Sequence, residues 1–163
     1  MPSTALISEQ VLTILVAAPQ RIAALTADLL PTQLRAAPAP DAWSANDVLA
    51  HLRACADMWG NCIARMLSED RPTLRAVDPR TWIEETDYRK QEFQPSFHAF
   101  ATQRTALLAV LAPLPPAGWS RAATVTGAGK PLERTVLFYA RWLARHERTH
   151  VKQIERTAKA LRR

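Results

Sequence analysis

Val136-Leu137-Phe138-Tyr139-Ala140-Arg141-Trp142-Leu143-Ala144-Arg145-His146-Glu147-Arg148-Thr149-His150-Val151-Lys152-Gln153-Ile154 reads as one long amphipathic helix. Val136, Tyr139, Leu143, His146, His150 and Ile154 recur at spacings of three and four, which places them on one stripe of the cylinder. A second, basic stripe lies well around it: Arg141, Arg145, Arg148, Lys152, Arg156, Lys159 and Arg163. His146 and His150 therefore face a core, and buried imidazoles require partners for their ring nitrogens. A metal ion supplies such partners, and a third histidine from another helix would complete its site.

The three-and-four period governs almost all of the chain, and no stretch alternates convincingly with period two, so the fold class is all-α. The first helix covers about residues 8–30, with Pro19 in its middle removing a hydrogen bond and predicting a kink or a break. Pro31-Thr32-Gln33 through Pro38-Ala39-Pro40 is a linker. The second helix opens at Ser44, which can form a capping box with Asp47, with Trp43 ahead of it as a hydrophobic staple. It runs to about residue 67 and turns Val48, His51, Leu52, Cys55, Trp59, Cys62 and Met66 inward. Residues 73–90, polar and carrying Pro79 and Trp82, form a long ordered loop between helices two and three, over one end of the bundle. Helix three covers about residues 95–111, with Phe97, Phe100, Arg104, Leu107, Leu108 and Leu111 inward. Gly127-Ala128-Gly129-Lys130 is a turn, and helix four follows over about residues 131–161. Four such helices in 163 residues make one domain, 1–163, a four-helix bundle.

Composition narrows the class further. No apolar run approaches the roughly 20 residues of a membrane span, and Met1-Pro2-Ser3-Thr4-Ala5 lacks the charged start of a signal peptide. A soluble cytoplasmic protein is expected. Cys55 and Cys62, seven apart on a helix, would have Cα atoms roughly 10 Å apart, beyond the about 7 Å reach of a disulfide. Both are therefore expected reduced. A net charge of +6 and the basic stripe invite nucleic acid as a partner. The stripe has no interleaved aromatics for base stacking and no Gly-containing turn of a helix-turn-helix, so it reads as a solvated face.

His146-Glu147-x-x-His150 also spells the local motif of the zinc proteases, with Glu147 as the general base. That chemistry needs a third ligand downstream. No histidine follows His150, only thirteen residues remain, and Glu155 points elsewhere on the same cylinder. The protease reading fails on geometry, and the third ligand must come from upstream. His51 is placed to supply it, on the Val48 and Cys55 face of helix two; a lone histidine there would be an ordinary core residue, but three converging ones point to metal. Cys55, one turn beyond His51, can approach the metal, but it reads rather as a small core residue. Asp57, Glu147 and Gln153 are candidates to orient the histidines by hydrogen bonds. His98 falls beside the inner stripe of helix three, a rim position. The Gly127 to Lys130 turn mimics the end of a phosphate-binding loop, but Pro131 stands where that motif needs Ser or Thr.

At Asp41-Ala42-Trp43-Ser44-Ala45-Asn46-Asp47-Val48-Leu49-Ala50-His51-Leu52, and again at His146-x-x-x-His150-x-x-Gln153-Ile154, the chain resembles the DinB-like (DinB/YfiT) metalloenzyme superfamily. The likeness covers nearly the whole chain, including the proline within helix one and the Gly-containing turn before helix four. It implies an up-down-down-up bundle in which His51, His146 and His150 bind a divalent metal. It also implies a homodimer and thiol-dependent transfer chemistry with a low-molecular-weight thiol as cosubstrate. Three imidazoles leave coordination positions open, the arrangement of a catalytic site, and zinc and nickel both suit it. The expected function is thus a divalent-metal-dependent S-transferase or hydrolase acting on a small molecule. The alternative is a non-catalytic stress or DNA-damage module that binds through the basic face of helix four.

Overall fold

The second long helix begins where a side chain can replace the missing turn. In the computed structural model, which describes residues 5–162, the Ser44 hydroxyl accepts from the Asp47 amide at 3.0 Å and the Ser44 amide donates to the Asp47 carboxylate at 3.1 Å. This is the expected capping box, and it opens α3 (Ala45–Ser68). Residues 1–4 and Arg163, the last member of the basic stripe, lie outside the described residues.

Three more long helices complete the bundle: α1 (Ser8–Thr26), α5 (Phe93–Leu111) and α7 (Val136–Leu161). Pro19 does not break α1. Its ring removes the N–H that would bond the Leu15 carbonyl four residues back, and Arg104 of α5 donates to that carbonyl instead, at 2.9 Å. The helix ends four residues earlier than expected, and the expected linker contains the short α2 (Pro31–Leu34), whose proline stands in the first turn where no N–H is needed.

α1 and α3 each pack against both α5 and α7, so they face each other across the core. Leu15, Ile22, Leu49, Leu52, Ile63, Met66, Phe100, Leu111, Leu143 and Ile154 are fully buried there, each stabilising the fold by about 1.5–3 kcal/mol of removed apolar surface. Arg141 near the start of α7 donates to the Leu6 carbonyl ahead of α1, and Arg162 at its end reaches the Leu25 carbonyl. Cys55 and Cys62 are free thiols, as expected.

The all-α expectation holds for the bundle and misses a small sheet. β1 (Thr73–Arg75) pairs in parallel with β2 (Ala122–Thr126), and β2 pairs antiparallel with β3 (Leu132–Thr135). Strands of three to five residues are too short for alternation to stand out against a helical background. The expected turn at 127–130 is the hairpin between β2 and β3, with Gly127 at φ 89 and Gly129 at φ 85, conformations that glycine adopts without cost. Consequently α7 starts at Val136 and not at residue 131, capped by the Thr135 hydroxyl, which accepts from the Phe138 amide at 3.0 Å.

The expected loop at 73–90 carries β1, α4 (Pro79–Glu84) and a 3-10 turn (Tyr88–Lys90), and α6 (Pro116–Trp119) precedes β2. Ile83 is buried against Ala50 and Ala54 of α3. Arg145, Arg148, Lys152, Arg156 and Lys159 are all exposed, the solvated face expected of the basic stripe. Among the described residues, no helix is long and apolar enough to cross a membrane.

Candidate metal centre

His51 comes from the second turn of α3, and His146 and His150 from successive turns in the middle of α7. Their rings meet in the bundle: centroids are 4.9 Å apart for His51 and His146, 4.8 Å for His51 and His150, and 4.4 Å for His146 and His150. His51 Nε2 lies 3.0 Å from His146 Nε2. Cys55, one helical turn past His51, places its Sγ 3.7 Å from the His51 nitrogen and 3.8 Å from the His146 nitrogen.

A tetrahedral ion with the usual bond lengths to imidazole and thiolate holds two nitrogens about 3.3 Å apart and a nitrogen and a sulfur about 3.6 Å apart. The three donor atoms of His51, Cys55 and His146 thus already stand at nearly the spacings an ion requires. Among the described residues they form a group of metal-ligating atoms all within 4.8 Å of one another. His150 has its ring 4.8 and 4.4 Å from those of His51 and His146 but stands outside this group of three donor atoms, and its Nδ1 lies 2.7 Å from Gln153 Oε1. That oxygen can only accept, so Nδ1 carries the proton and Nε2 keeps its lone pair. His146 Nδ1, by contrast, is buried without a hydrogen-bond partner.

Burial is the main cause of the protonation states here. It lowers the His51 pKa to about 4 and that of His146 to about 3, with the neighbouring His150 adding to both. At neutral pH both rings are uncharged and their lone pairs are available to a cation. Burial pushes the Cys55 thiol up to about 12, Glu147 adding to the shift, so a thiolate there needs a cation beside it.

Three aromatic rings wall the cluster. Trp43 stacks over His150 at 6.4 Å and meets His51 edge-on at 5.2 Å, and Trp59 meets His146 edge-on at 5.2 Å. Trp142 in turn packs against Trp59 at 5.6 Å. Trp43, expected as a helix staple, thus also belongs to the wall of the site. On one side the cluster opens, through His146, onto a cavity of about 540 Å³ between α3, α7 and the sheet.

Of the three residues expected to orient the histidines, only Gln153 hydrogen-bonds to one. Glu147 is fully buried and bonds with both carboxylate oxygens to Arg104, the same guanidinium that serves the Leu15 carbonyl. Asp57 accepts from Trp82 Nε1, the Tyr88 hydroxyl and Gln103 Nε2, so it ties the 73–90 segment to α3 and α5. His98 is exposed, as expected of a rim position. The Arg104 and Glu147 pair escaped sequence reading, although two charged residues on inward positions of separate helices were the available signal.

A family model described as the DinB superfamily matches residues 14–154, a span that contains Trp43 and the three histidines of the cluster. The chain belongs to the DinB superfamily. Its fold is shared with two solved structures. YfiT from Bacillus subtilis, a probable metal-dependent hydrolase with an unusual four-helix bundle topology, is 21% identical, with 96% of this chain and 91% of that one covered at a TM-score of 0.69. TT2238, a four-helix bundle protein, is 19% identical, with 92% and 99% covered at a TM-score of 0.64. No curated protein matches the chain. Trp43, His51, His146 and His150 of this DinB-superfamily member therefore lie within the matched span.

Proposed function

We propose that this protein is a divalent-metal-dependent enzyme that acts on a small molecule by hydrolysis or by thiol transfer, with His51, His146 and His150 as the metal ligands. The observation that carries the reading is the approach of His51 Nε2 and His146 Nε2 to 3.0 Å, with Cys55 Sγ beside both, at the wall of an apolar cavity. Neutral, half-buried imidazoles are the form that ligates, and the donor set suits zinc or nickel. A bound ion of this kind supplies a Lewis acid and lowers the pKa of a water or thiol at its open position. The chain's own residues do the rest: Gln153 fixes the His150 tautomer, and Trp43 and Trp59 pack against the histidine rings. The likeness to YfiT favours the hydrolytic branch.

The helix order is read as up-down-down-up. Arg141 with Leu6 and Arg162 with Leu25 support a parallel run of α1 and α7. His51 with His146, and Trp59 with Trp142, support an antiparallel run of α3 against α7. Arg53 with Ser96 and Asp57 with Gln103 support a parallel α5 and α3.

Metal analysis of protein purified without a polyhistidine tag tests the site. One divalent ion per chain is expected, lost in the His51→Ala/His146→Ala variant; full metal content in that variant would refute the site. Incubating the metal-loaded protein with ester and alkylating electrophiles, with and without low-molecular-weight thiols, separates the branches. Turnover in water alone indicates hydrolysis, and turnover only with thiol indicates transfer.

A further inference from the structure

The cavity that ends at His146 has a character of its own. Its walls are apolar and aromatic, formed chiefly by Trp59, Leu74, Val125, Phe138 and Trp142. Val77, Leu132 and Trp142, which stand around it, are 46%, 41% and 48% exposed, an apolar rim of the kind that marks binding sites. Its charged lining residues are Arg65, Arg75 and Arg134, with no Asp or Glu among them.

The three arginines are not equivalent. Arg65 is neutralised by Glu69 at 2.7 Å. Among the described residues, neither Arg75 nor Arg134 forms an ion pair or donates a side-chain hydrogen bond. The Arg134 guanidinium carbon stands over the Phe138 ring, 4.2 Å from its centroid, a cation–π contact that uses none of its N–H donors. Arg75 lies against the hairpin, where a side chain at Gly127 would come within 3.3 Å of its Cγ. Arg134, on the face of the sheet that carries Val125 and Leu132, is thus an unpaired guanidinium beside a pocket with an apolar interior and a candidate metal at its inner end, whereas the register turns Arg75 to the opposite face.

We propose that the substrate is an amphipathic carboxylate: an apolar, ring-sized body between Trp59, Phe138 and Trp142, a carboxylate held by Arg134, and the reacting group directed to His146. This deepens the metal-dependent reading of the same site and rests on it for the last clause. A cavity of about 540 Å³ has the capacity for such a ligand. The guanidinium fork matches a carboxylate in geometry as well as charge. The neutral Trp and Phe walls reward the apolar body by removing it from water.

The test is calorimetric titration with 4-phenylbutyrate, its uncharged isostere 4-phenylbutyramide, and acetate, on both metal-loaded and chelator-treated protein. Phenylbutyrate is expected to bind at least about tenfold more tightly than the amide in both preparations, as two charge-assisted hydrogen bonds allow, and acetate is expected to bind weakly. In Arg134→Gln protein the preference should fall to less than about threefold while amide binding, which also reports an intact cavity, is retained. Trp142→Ala should weaken both phenyl ligands alike. Equal affinity for acid and amide overturns the proposal, as does no binding of either, or a preference that survives Arg134→Gln. A preference that vanishes on chelation yet persists in the arginine variant would assign the carboxylate to the metal, overturning the proposal while leaving the metal site standing. Absence of metal from the protein would instead refute the metal reading, and the chelator-treated titration would still decide the carboxylate.

Discussion

Arg104 donates to the carbonyl of Leu15, the one carbonyl of α1 that Pro19 deprives of its helical partner. The same guanidinium pairs with Glu147, so one buried charge pair joins α1, α5 and α7 directly behind the histidines. Burial raises the Glu147 pKa, and the Arg104 charge opposes that rise. Removing one partner leaves the other buried and unpaired, which costs about 3–5 kcal/mol. Arg104→Met and Glu147→Leu are each expected to destabilise the protein by that order. The double variant should recover much of the loss, because an apolar pair has no unpaired charge. Urea denaturation of all four proteins measures the coupling; additive single effects would show that the pair does not act as a unit.

Asp57 governs a different part of the molecule. It accepts from Trp82, Tyr88 and Gln103, two of which belong to the 73–90 segment that borders the cavity. Asp57→Ala is expected to loosen this segment while leaving the four long helices packed. Trypsin should then cleave faster at Arg75, Arg80 or Arg89, with a shift in thermal midpoint of only a few degrees. Unchanged cleavage would mean that Ile83 and the β1 pairing suffice to hold the segment.

Acid should destabilise the metal-free protein through its histidines. An unfolded imidazole takes up its proton near pH 6.5, whereas folded His51 does so near 4 and His146 near 3. The folded pKa values are depressed, so the unfolded chain binds more protons, and stability falls as pH falls from 6.5 toward 4. Above pH 6.5 these two groups contribute no pH dependence. Denaturation in the presence of chelator, compared at about pH 7 and about pH 5, measures the slope. His51→Asn/His146→Asn should flatten it, and an equally steep fall in that variant would place the titration on other groups.

Much of this was readable before any coordinates, and what escaped did so for physical reasons. A 3.6-residue period sustained over helices of 19 to 26 residues leaves little ambiguity, which is why the inward faces of His51, His146 and His150 were visible. Ser44 and Asp47 form a local signal, three residues apart, and were equally legible. The three short strands were not, because Leu74 is the single buried residue of β1 and no alternation can be seen in one residue. Nor was the bond from Arg104 to Leu15, which spans 89 positions: Pro19 marked where a donor was needed, but nothing local identified it. The nearness of Cys55 to the histidines is intermediate. Its turn of α3 was plain, whereas the 3.7 and 3.8 Å separations depend on how closely α3 and α7 pack.

Two side chains around the histidines should separate metal holding from metal tuning. Gln153 fixes the His150 tautomer from outside the site, so Gln153→Leu should weaken divalent-metal affinity by about 10–100-fold without abolishing it. Gln153→Glu, which still accepts from Nδ1, should restore most of the affinity. Cys55 lies within reach of the ion itself. Cobalt-loaded protein should therefore show a thiolate-to-cobalt charge-transfer band in the near ultraviolet, absent in Cys55→Ala and unaffected by Gln153→Leu at saturating cobalt. If the wild-type spectrum lacks that band, Cys55 is a core thiol that merely packs beside the histidines, and the metal is held by imidazole alone. If the band is present and Cys55→Ala also loses most of its cobalt, the sulfur is a holding ligand and the site has one fewer open position for substrate.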